Sequence, residues 1–327
     1  MPKGLTRAFL GSSLNMLMGR TIRHKFHKSE NMQNYHFIFA HSDDELAVLK
    51  PLKIISSTYG LNASFTLLSN GTQGYEPNSE GSREDFGRMR VKEFNRSLVT
   101  LGFEDQRIKS LLDEREIYEM LVREDSSGLN AMLERAQKAI ARDINLNKPK
   151  AVFVDDFAGG NIVHDIANYI THKAAKQMKF SPVIEYWQYF FDKSSGAMIV
   201  GDLGHDEQGR ILRDNCKGKY DVEIPALGIH KGRMFLSPFN IIGALRHKQK
   251  VYSSQEKTLK RLTDITFASY GIDAPHFREL CAEIDYTKRP SHGVLYEGAS
   301  WRLRGLPRLP TFEDFARMVR DYEKKTA

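Results

Sequence analysis

The stretch FIFAHSDDEL, residues 37–46, places an apolar run directly before a histidine and three acids. Its first four residues predict a buried strand. Because burying unpaired charge is costly, the charged residues behind this run cannot continue the strand into the core. We therefore expect His41, Asp43, Asp44 and Glu45 to lie where the strand leaves the core. A bound metal ion is one reason to collect so much charge at that point.

Strand and helix patterns alternate on both sides of this stretch. Strands are predicted at 36–41, 63–69 and 151–156, and helices at about 45–59, 83–101, 114–143 and 164–178. This alternation indicates an α/β fold with a mainly parallel sheet flanked by helices. Residues 181–327 predict a helical and loop-rich C-terminal part, with an aromatic strand near 183–191. Ligands of such sheets gather beyond the carboxyl ends of the strands.

Composition limits the classes of protein that fit. The 327 residues are 41% hydrophobic and 27% charged, which is ordinary for a soluble globular chain. Two cysteines exclude a disulfide scaffold and a four-cysteine zinc site, and they suit a reducing compartment, so we expect a cytoplasmic protein.

The net charge of +7 is concentrated at one end, since residues 1–29 hold six basic residues and no acid. We therefore predict a basic N-terminal arm at 1–35, a single catalytic domain at 36–327 and no nucleic-acid partner. The arm can contact a membrane surface, although disorder or packing against the domain is the favoured prediction. Residues 36–327 show no span long and apolar enough to cross a membrane. The oligomeric state is not predicted.

Polar residues follow each predicted strand. The first strand leads to the charged stretch, the second to a loop beginning at Asn70, and the third to Asp155, Asp156 and the more distant His164. Parallel strands would bring all of them to one edge of the sheet. No dinucleotide fingerprint, P-loop or G-x-S-x-G nucleophile motif is found, so a metal or hydrolytic site without an organic cofactor is favoured.

Four segments in this order resemble a known family. AHSDDE (40–45) is close to an A-H-P-D-D-E signature, and SNGTQGY (69–75) is similar to a glycine-containing loop after the second strand. RVKEFNRSLVTLG (90–102) resembles an R-x-x-E-(x)n-L-G helix, and GGNIVHD (159–165) lies where H-P-D-H is expected. The family is that of the LmbE-like zinc deacetylases, which includes N-acetylglucosaminyl-phosphatidylinositol de-N-acetylase and the mycothiol and bacillithiol pathway deacetylases. The resemblance covers about residues 36–180, and YSSQ (252–255) weakly resembles a common family ending.

The resemblance implies a Rossmann-like domain that hydrolyses acetamides on amino sugars. It implies that His41, Asp44 and His164 ligate one Zn²⁺ ion per chain, that Asp43 is the general base, and that Arg90 helps to hold the substrate. Chemically, two imidazoles and one carboxylate leave zinc open to water. Zinc lowers the pKa of that water to about 7, and a neighbouring carboxylate can take the proton.

The chain departs from the family in the H-P-D-H element, where Val163 stands at the position of the aspartate. Aligning His164 with the metal ligand places Asn161 where the family has a substrate-facing histidine. An asparagine amide can donate a hydrogen bond to a developing oxyanion, but it cannot deliver a proton near neutral pH. Asn161 is therefore predicted as a catalytic hydrogen-bond donor, and the general acid stays unidentified.

Other interpretations stay open. The acids at 43–45 can simply cap the next helix. A non-catalytic relative could bind a carbohydrate through the same site, and the spacing of the first histidine and acid also fits a two-histidine, one-carboxylate iron(II) oxygenase. The favoured prediction is zinc-dependent hydrolysis of an N-acyl amide on a small-molecule or glycoconjugate amino-sugar substrate.

Overall fold

The computed structural model describes part of the chain. The described positions are 32–72, 75, 81–157, 159, 161–186, 190–192, 197–199, 216–217, 222–230, 246–247, 250–252, 254, 277–279, 283–288, 306–308 and 310–327. Most of the basic arm 1–35 and much of the loop-rich region after 186 therefore lie outside the described residues. Only the ends of the predicted aromatic strand 183–191 fall within them.

A six-stranded sheet forms the centre of the fold, and its strand order is β3-β2-β1-β4-β5-β9. The first five of these strands run parallel, and β9 pairs antiparallel with β5 at one edge. The strands are β1 Gln33–Phe39, β2 Leu61–Ser69, β3 Ser110–Leu112, β4 Ala151–Asp155, β5 Val183–Tyr186, β6 Phe190–Asp192, β7 Ala197–Ile199, β8 Cys216–Lys217, β9 Phe277–Glu279 and β10 Glu283–Ile284. The predicted α/β fold with a mainly parallel sheet is confirmed.

Helices follow most of the sheet strands. They are α1 Leu49–Ser57, α2 Arg83–Leu101, α3 Glu114–Val122, α4 Ser126–Asn147, α5 Ile162–Gln177 and α6 Phe312–Thr326, with 3-10 turns at Asp44–Val48 and Pro225–Leu227. The bounds of α2 agree with the prediction, because Ser82 and Asp85 form a capping box at its start and Gly102 ends it with φ 101°.

Two predicted helices differ in detail. The helix predicted over 114–143 is two helices, because Glu124 adopts φ 58° and the Asp125 side chain caps a new helix by accepting from the Gly128 amide. The helix predicted from Glu45 begins instead as the 3-10 turn, and only then becomes α1.

The central strand β1 is buried on both faces, as expected for a parallel sheet covered on two sides. Phe37 and Phe39 face a cluster with residues of α1 and α2, whereas Ile38 faces one with residues of α4, α5 and α6. The ring of Phe37 stacks on that of Phe153 in β4, with ring centroids 4.6 Å apart. This two-sided packing fixes where β1 ends, and therefore where the charged stretch begins.

The parallel strands all present their carboxyl ends at one edge of the sheet. His41 follows β1, Asn70 follows β2, Glu114 follows β3, and Asp155 ends β4. The prediction that these loops share an edge agrees with this topology. No helix among the described residues combines the length and the apolar character needed to cross a bilayer.

Candidate active site

Two histidines and an aspartate converge at this edge of the sheet. His41 Nδ1 lies 2.9 Å from His164 Nε2, and the Asp44 carboxylate lies 3.8 Å from each of these two nitrogens. Each side chain offers one ligand atom, and the three atoms lie within 4.8 Å of one another. Within the described part of the chain, these three residues are the one group suited to hold a metal ion.

The geometry of these three residues fits zinc. Zinc bonds of about 2.0–2.2 Å in a tetrahedron separate neighbouring ligand atoms by about 3.3 Å, which lies between the observed 2.9 and 3.8 Å. Two imidazole nitrogens that face each other at 2.9 Å need a proton or a cation between their lone pairs. The mixed nitrogen and oxygen donor set is also one that zinc accepts.

A tight turn after β1 brings His41 and Asp44 together. The backbone amide of His41 donates to Asp44 Oδ2 at 2.6 Å, and the amide of Asp44 donates to the carbonyl of His41. Ser69 holds the strand end next to this turn, because its hydroxyl donates to the carbonyl of Ala40 at 2.8 Å. The third ligand comes from another element, since His164 lies in the first turn of α5.

Each histidine also uses its second ring nitrogen. His41 Nε2 lies 3.0 Å from Glu114 Oε1, and His164 Nδ1 lies 3.3 Å from Asp155 Oδ2. Both carboxylates are buried. Each imidazole therefore lies between the shared centre and a carboxylate on its outer side.

The two histidines have opposite pKa shifts. Burial lowers the pKa of His41, but the charge and hydrogen bond of Glu114, together with Asp44 and Asp43, outweigh it and raise the pKa overall. Burial and the neighbouring His41 lower the pKa of His164 well below its usual value.

Asp43 lies next to the group of His41, Asp44 and His164 and is not part of it. Its Oδ1 accepts a 2.8 Å hydrogen bond from Arg90 Nη2, and its side chain is 23% exposed. Arg90 is buried, and its Nε donates to Ser42 Oγ at 2.8 Å. Gly71, at φ 67°, passes close over the guanidinium, where an added Cβ would lie 3.2 Å from Nη2. Arg90 therefore fixes the orientation of Asp43.

Asn161 caps the helix that carries His164. Its Oδ1 accepts from the Val163 amide at 3.1 Å, which satisfies one of the unpaired amides at the start of α5. The preceding loop is held by Asp165, whose Oδ1 accepts from the Gly159 amide at 3.0 Å. The asparagine side chain is thus anchored through its oxygen, on the same first helical turn as His164.

The remaining motif acid, Glu45, makes no helix cap. Its Oε1 accepts from Ser97 Oγ and from Tyr252 Oη, both at 2.5 Å. Burial raises the pKa of this carboxyl to about 8, so it is protonated at neutral pH. Glu93 similarly accepts from the amide and the hydroxyl of Ser254. Glu45 and Glu93 therefore connect Tyr252 and Ser254 to the 3-10 turn and to α2.

The sequence analysis did not identify Glu114. This residue follows the three-residue strand β3, which is too short to give a periodic pattern. The available signal was Asp113, whose side chain caps α3 by accepting from the amides of Arg115 and Glu116. An aspartate cap after a short apolar run would have placed Glu114 at the same edge of the sheet.

One segment of the chain matches a protein family. Residues 36–175 match the family described as PIG-L, GlcNAc-PI de-N-acetylase. This segment contains His41, Asp44 and His164. No curated protein sequence matches the chain.

Several solved structures resemble the chain at low identity. A deacetylase of the teicoplanin biosynthesis pathway is 14% identical, with a TM-score of 0.46, over 75% of this chain and 97% of that one. N,N'-diacetylchitobiose deacetylase from Pyrococcus horikoshii is 13% identical, with a TM-score of 0.38, over 85% and 95%. The A40926 pseudoaglycone deacetylase is 13% identical, with a TM-score of 0.39, over 80% and 99%.

The motifs at residues 40–165 lie within the segment that matches the family. The His41, Asp44 and His164 side chains that the motifs single out meet at one point of the fold. Residues 36–175 therefore match the PIG-L family of GlcNAc-PI de-N-acetylases, and the LmbE-like deacetylase family is supported for this part of the chain.

Proposed function

We propose that this protein is a zinc-dependent amide hydrolase that removes the acetyl or another acyl group from the nitrogen of an amino-sugar-containing substrate. The observation that carries this proposal is the convergence of His41, Asp44 and His164 beside a separate, partly exposed carboxylate, Asp43. In such a reaction the metal activates the water, and a carboxylate that is not needed to hold the metal can accept the water's proton.

His41, Asp44 and His164 would hold the zinc ion. When bound, zinc supplies a Lewis acid that polarises the amide carbonyl and makes water acidic enough to be deprotonated near neutral pH. Three protein ligands leave room in the coordination shell for water and substrate, as in other catalytic zinc sites. One ion per chain is therefore expected.

Asp43 is the proposed general base. It accepts the proton of the attacking water while the water oxygen bonds to the amide carbon, and the C–N bond then breaks. The proton goes to the departing nitrogen, so that the products are a carboxylate and a primary amine. The hydrogen bond from Arg90 leaves the carboxylate in one orientation during both transfers.

Asn161 and Arg90 are the proposed contacts to the substrate. The amide nitrogen of Asn161 can donate to the oxyanion that develops on the carbonyl oxygen, and its oxygen is already anchored to the Val163 amide. One such donor contributes about 2.7–4 kcal/mol to transition-state stabilisation in the oxyanion hole of an unrelated hydrolase. Arg90, through the resemblance of its helix to the family motif, is proposed to help hold the substrate's polar groups.

The substrate class rests on the family. The matched description names GlcNAc-PI, an amino-sugar glycolipid. We propose a small-molecule or glycoconjugate amino sugar as the partner, no nucleic acid, a single catalytic domain at 36–327 and a cytoplasmic location. Contact of the basic arm with a membrane stays a secondary proposal.

A screen for amine release tests the proposal. Zinc-loaded protein is incubated with a panel of N-acyl amino sugars and glycoconjugates, and the primary amine and the carboxylate are measured together. We expect equal amounts of both products and a loss of turnover in His164→Ala. Bound zinc without turnover across the panel would favour a carbohydrate-binding protein. Bound iron with oxygen consumption would favour the oxygenase.

A further inference from the structure

The proposed reaction does not use the outer ring nitrogens of His41 and His164, although each of them lies next to a buried carboxylate. His41 points Nδ1 at the shared centre and Nε2 at Glu114, whereas His164 points Nε2 at the centre and Nδ1 at Asp155. The two rings thus present different nitrogens inwards, and in both cases a carboxylate stands on the opposite side. A carboxylate favours a ring that carries its proton on the nearer nitrogen, and here Glu114 does so through a 3.0 Å hydrogen bond and Asp155 through a 3.3 Å ion-pair contact.

Glu114 is held in place independently of His41. It begins α3, and its backbone amide donates to Asn70 Oδ1 at 3.2 Å. The same asparagine donates through Nδ2 to Asp113 Oδ2 at 2.6 Å. These hydrogen bonds connect the loops after β2 and β3. Glu114 is buried there, and its Oε1 lies 3.0 Å from His41 Nε2.

Asp155 is held in a similar way on the other side. It ends β4, and Asn168 from α5 donates to its carbonyl oxygen at 2.8 Å and to Glu185 at 2.6 Å. Because Asn168 and His164 lie one turn apart on α5, this bond also sets how the His164 ring faces the end of β4. Asp155 is only 1% exposed, so little solvent lies between its carboxyl group and the His164 ring.

We infer that Glu114 and Asp155 are positioning residues of the metal centre, which fix the tautomers of His41 and His164 and strengthen both rings as zinc ligands. This inference rests on the proposed metal site but names two residues outside the ligand set. A carboxylate on the outer nitrogen orients the imidazole and raises its basicity toward the metal. Loss of such a partner costs about 10–100-fold in metal affinity.

Zinc affinity provides the test. Chelator-stripped proteins are titrated with zinc against a chromophoric chelator, and the Kd of the parent is compared with those of Glu114→Ala, Glu114→Gln, Asp155→Ala and Asp155→Asn. We expect the alanine variants to bind zinc about 10–100-fold more weakly. The amide variants keep an oxygen acceptor without the charge, so their loss should be smaller. Glu116→Gln is the matched control, since Glu116 is an exposed acid two positions along α3.

A spectroscopic readout separates positioning from general destabilisation. Co²⁺ is bound in place of zinc, and its visible absorption reports the ligand geometry. We expect the spectrum to change in Glu114→Gln and Asp155→Asn and to stay unchanged in Glu116→Gln, with thermal unfolding of the metal-free proteins measured alongside.

Unchanged zinc affinity and an unchanged cobalt spectrum in the Glu114 and Asp155 variants would overturn the inference, whatever the parent's activity. If the parent releases no amine but the variants lose zinc as expected, the proposed function fails and the inference stands.

Discussion

Replacing Arg90 by lysine tests how the general base is held. Arg90 Nε donates to Ser42 and Nη2 donates to Asp43, each at 2.8 Å, so one planar group fixes two partners. A lysine ammonium keeps the charge, but as a compact group it cannot reach both oxygens with the same geometry. We expect Arg90→Lys to keep the fold and the proposed zinc ligands unchanged. The Asp43 side chain should no longer be held in one orientation.

The expected loss follows from the bond to Asp43. A hydrogen bond to a charged group contributes about 1.5–3 kcal/mol. If this bond orients Asp43 in the transition state, its loss lowers kcat by about 10- to 150-fold, since each 1.36 kcal/mol is tenfold in rate. A rise in KM would report the additional substrate contact that the family motif implies.

The assay is amine release at saturating and limiting substrate, with zinc content measured on the same samples. Arg88→Lys is the matched control, because Arg88 lies on the same helix and is exposed. Arg90→Lys combined with Asp43→Asn should be no slower than Asp43→Asn alone. An unchanged kcat with zinc retained would refute the positioning of Asp43 by Arg90.

Three further changes have defined outcomes. Asp43→Asn should keep one zinc per chain, and its kcat should fall by about 10²–10⁴-fold. If the variant instead loses zinc and excess metal restores its activity, Asp43 is a zinc ligand. Asn161→Ala should lower kcat with zinc retained and cost about 1 kcal/mol of stability through the lost cap, and full activity would remove Asn161 from the reaction centre. Burial lowers the pKa of His36 from 6.5 to about 4, so the unfolded chain takes up a proton at a higher pH than the folded one. Stability should therefore be complete above about pH 6.5 and fall by about 3 kcal/mol toward pH 4, as measured by urea unfolding. In His36→Gln the free energy of unfolding should lack this part of the pH dependence. The same pH dependence in the variant and the parent would contradict the prediction.

The motif residues could be predicted because their signal is local. An apolar run followed by His41 and Asp44 marks the end of a buried strand, and parallel topology brings such ends together. His164 could be predicted from the spacing of the family motifs and from its place at the start of a predicted helix. The capping residues Ser82 and Gly102 are likewise local signals at the two ends of α2.

The remaining contacts join residues far apart in the chain. Arg90 meets Asp43 across 47 positions, and Tyr252 meets Glu45 across 207. No periodicity or propensity encodes such pairs, because they depend on how helices pack against the sheet. Glu114 was missed for a different reason, since the strand before it has three residues.

The central claim is that activity depends on one zinc ion held by His41, Asp44 and His164. Its most direct test is a zinc titration of chelator-stripped protein, followed by amine release from an N-acyl amino sugar that the parent hydrolyses. We expect activity to be absent without metal and to rise linearly to a plateau at one equivalent per chain, and we expect His164→Ala to stay inactive at that point. Full activity in the stripped protein, or a plateau reached equally by His164→Ala, would contradict the account.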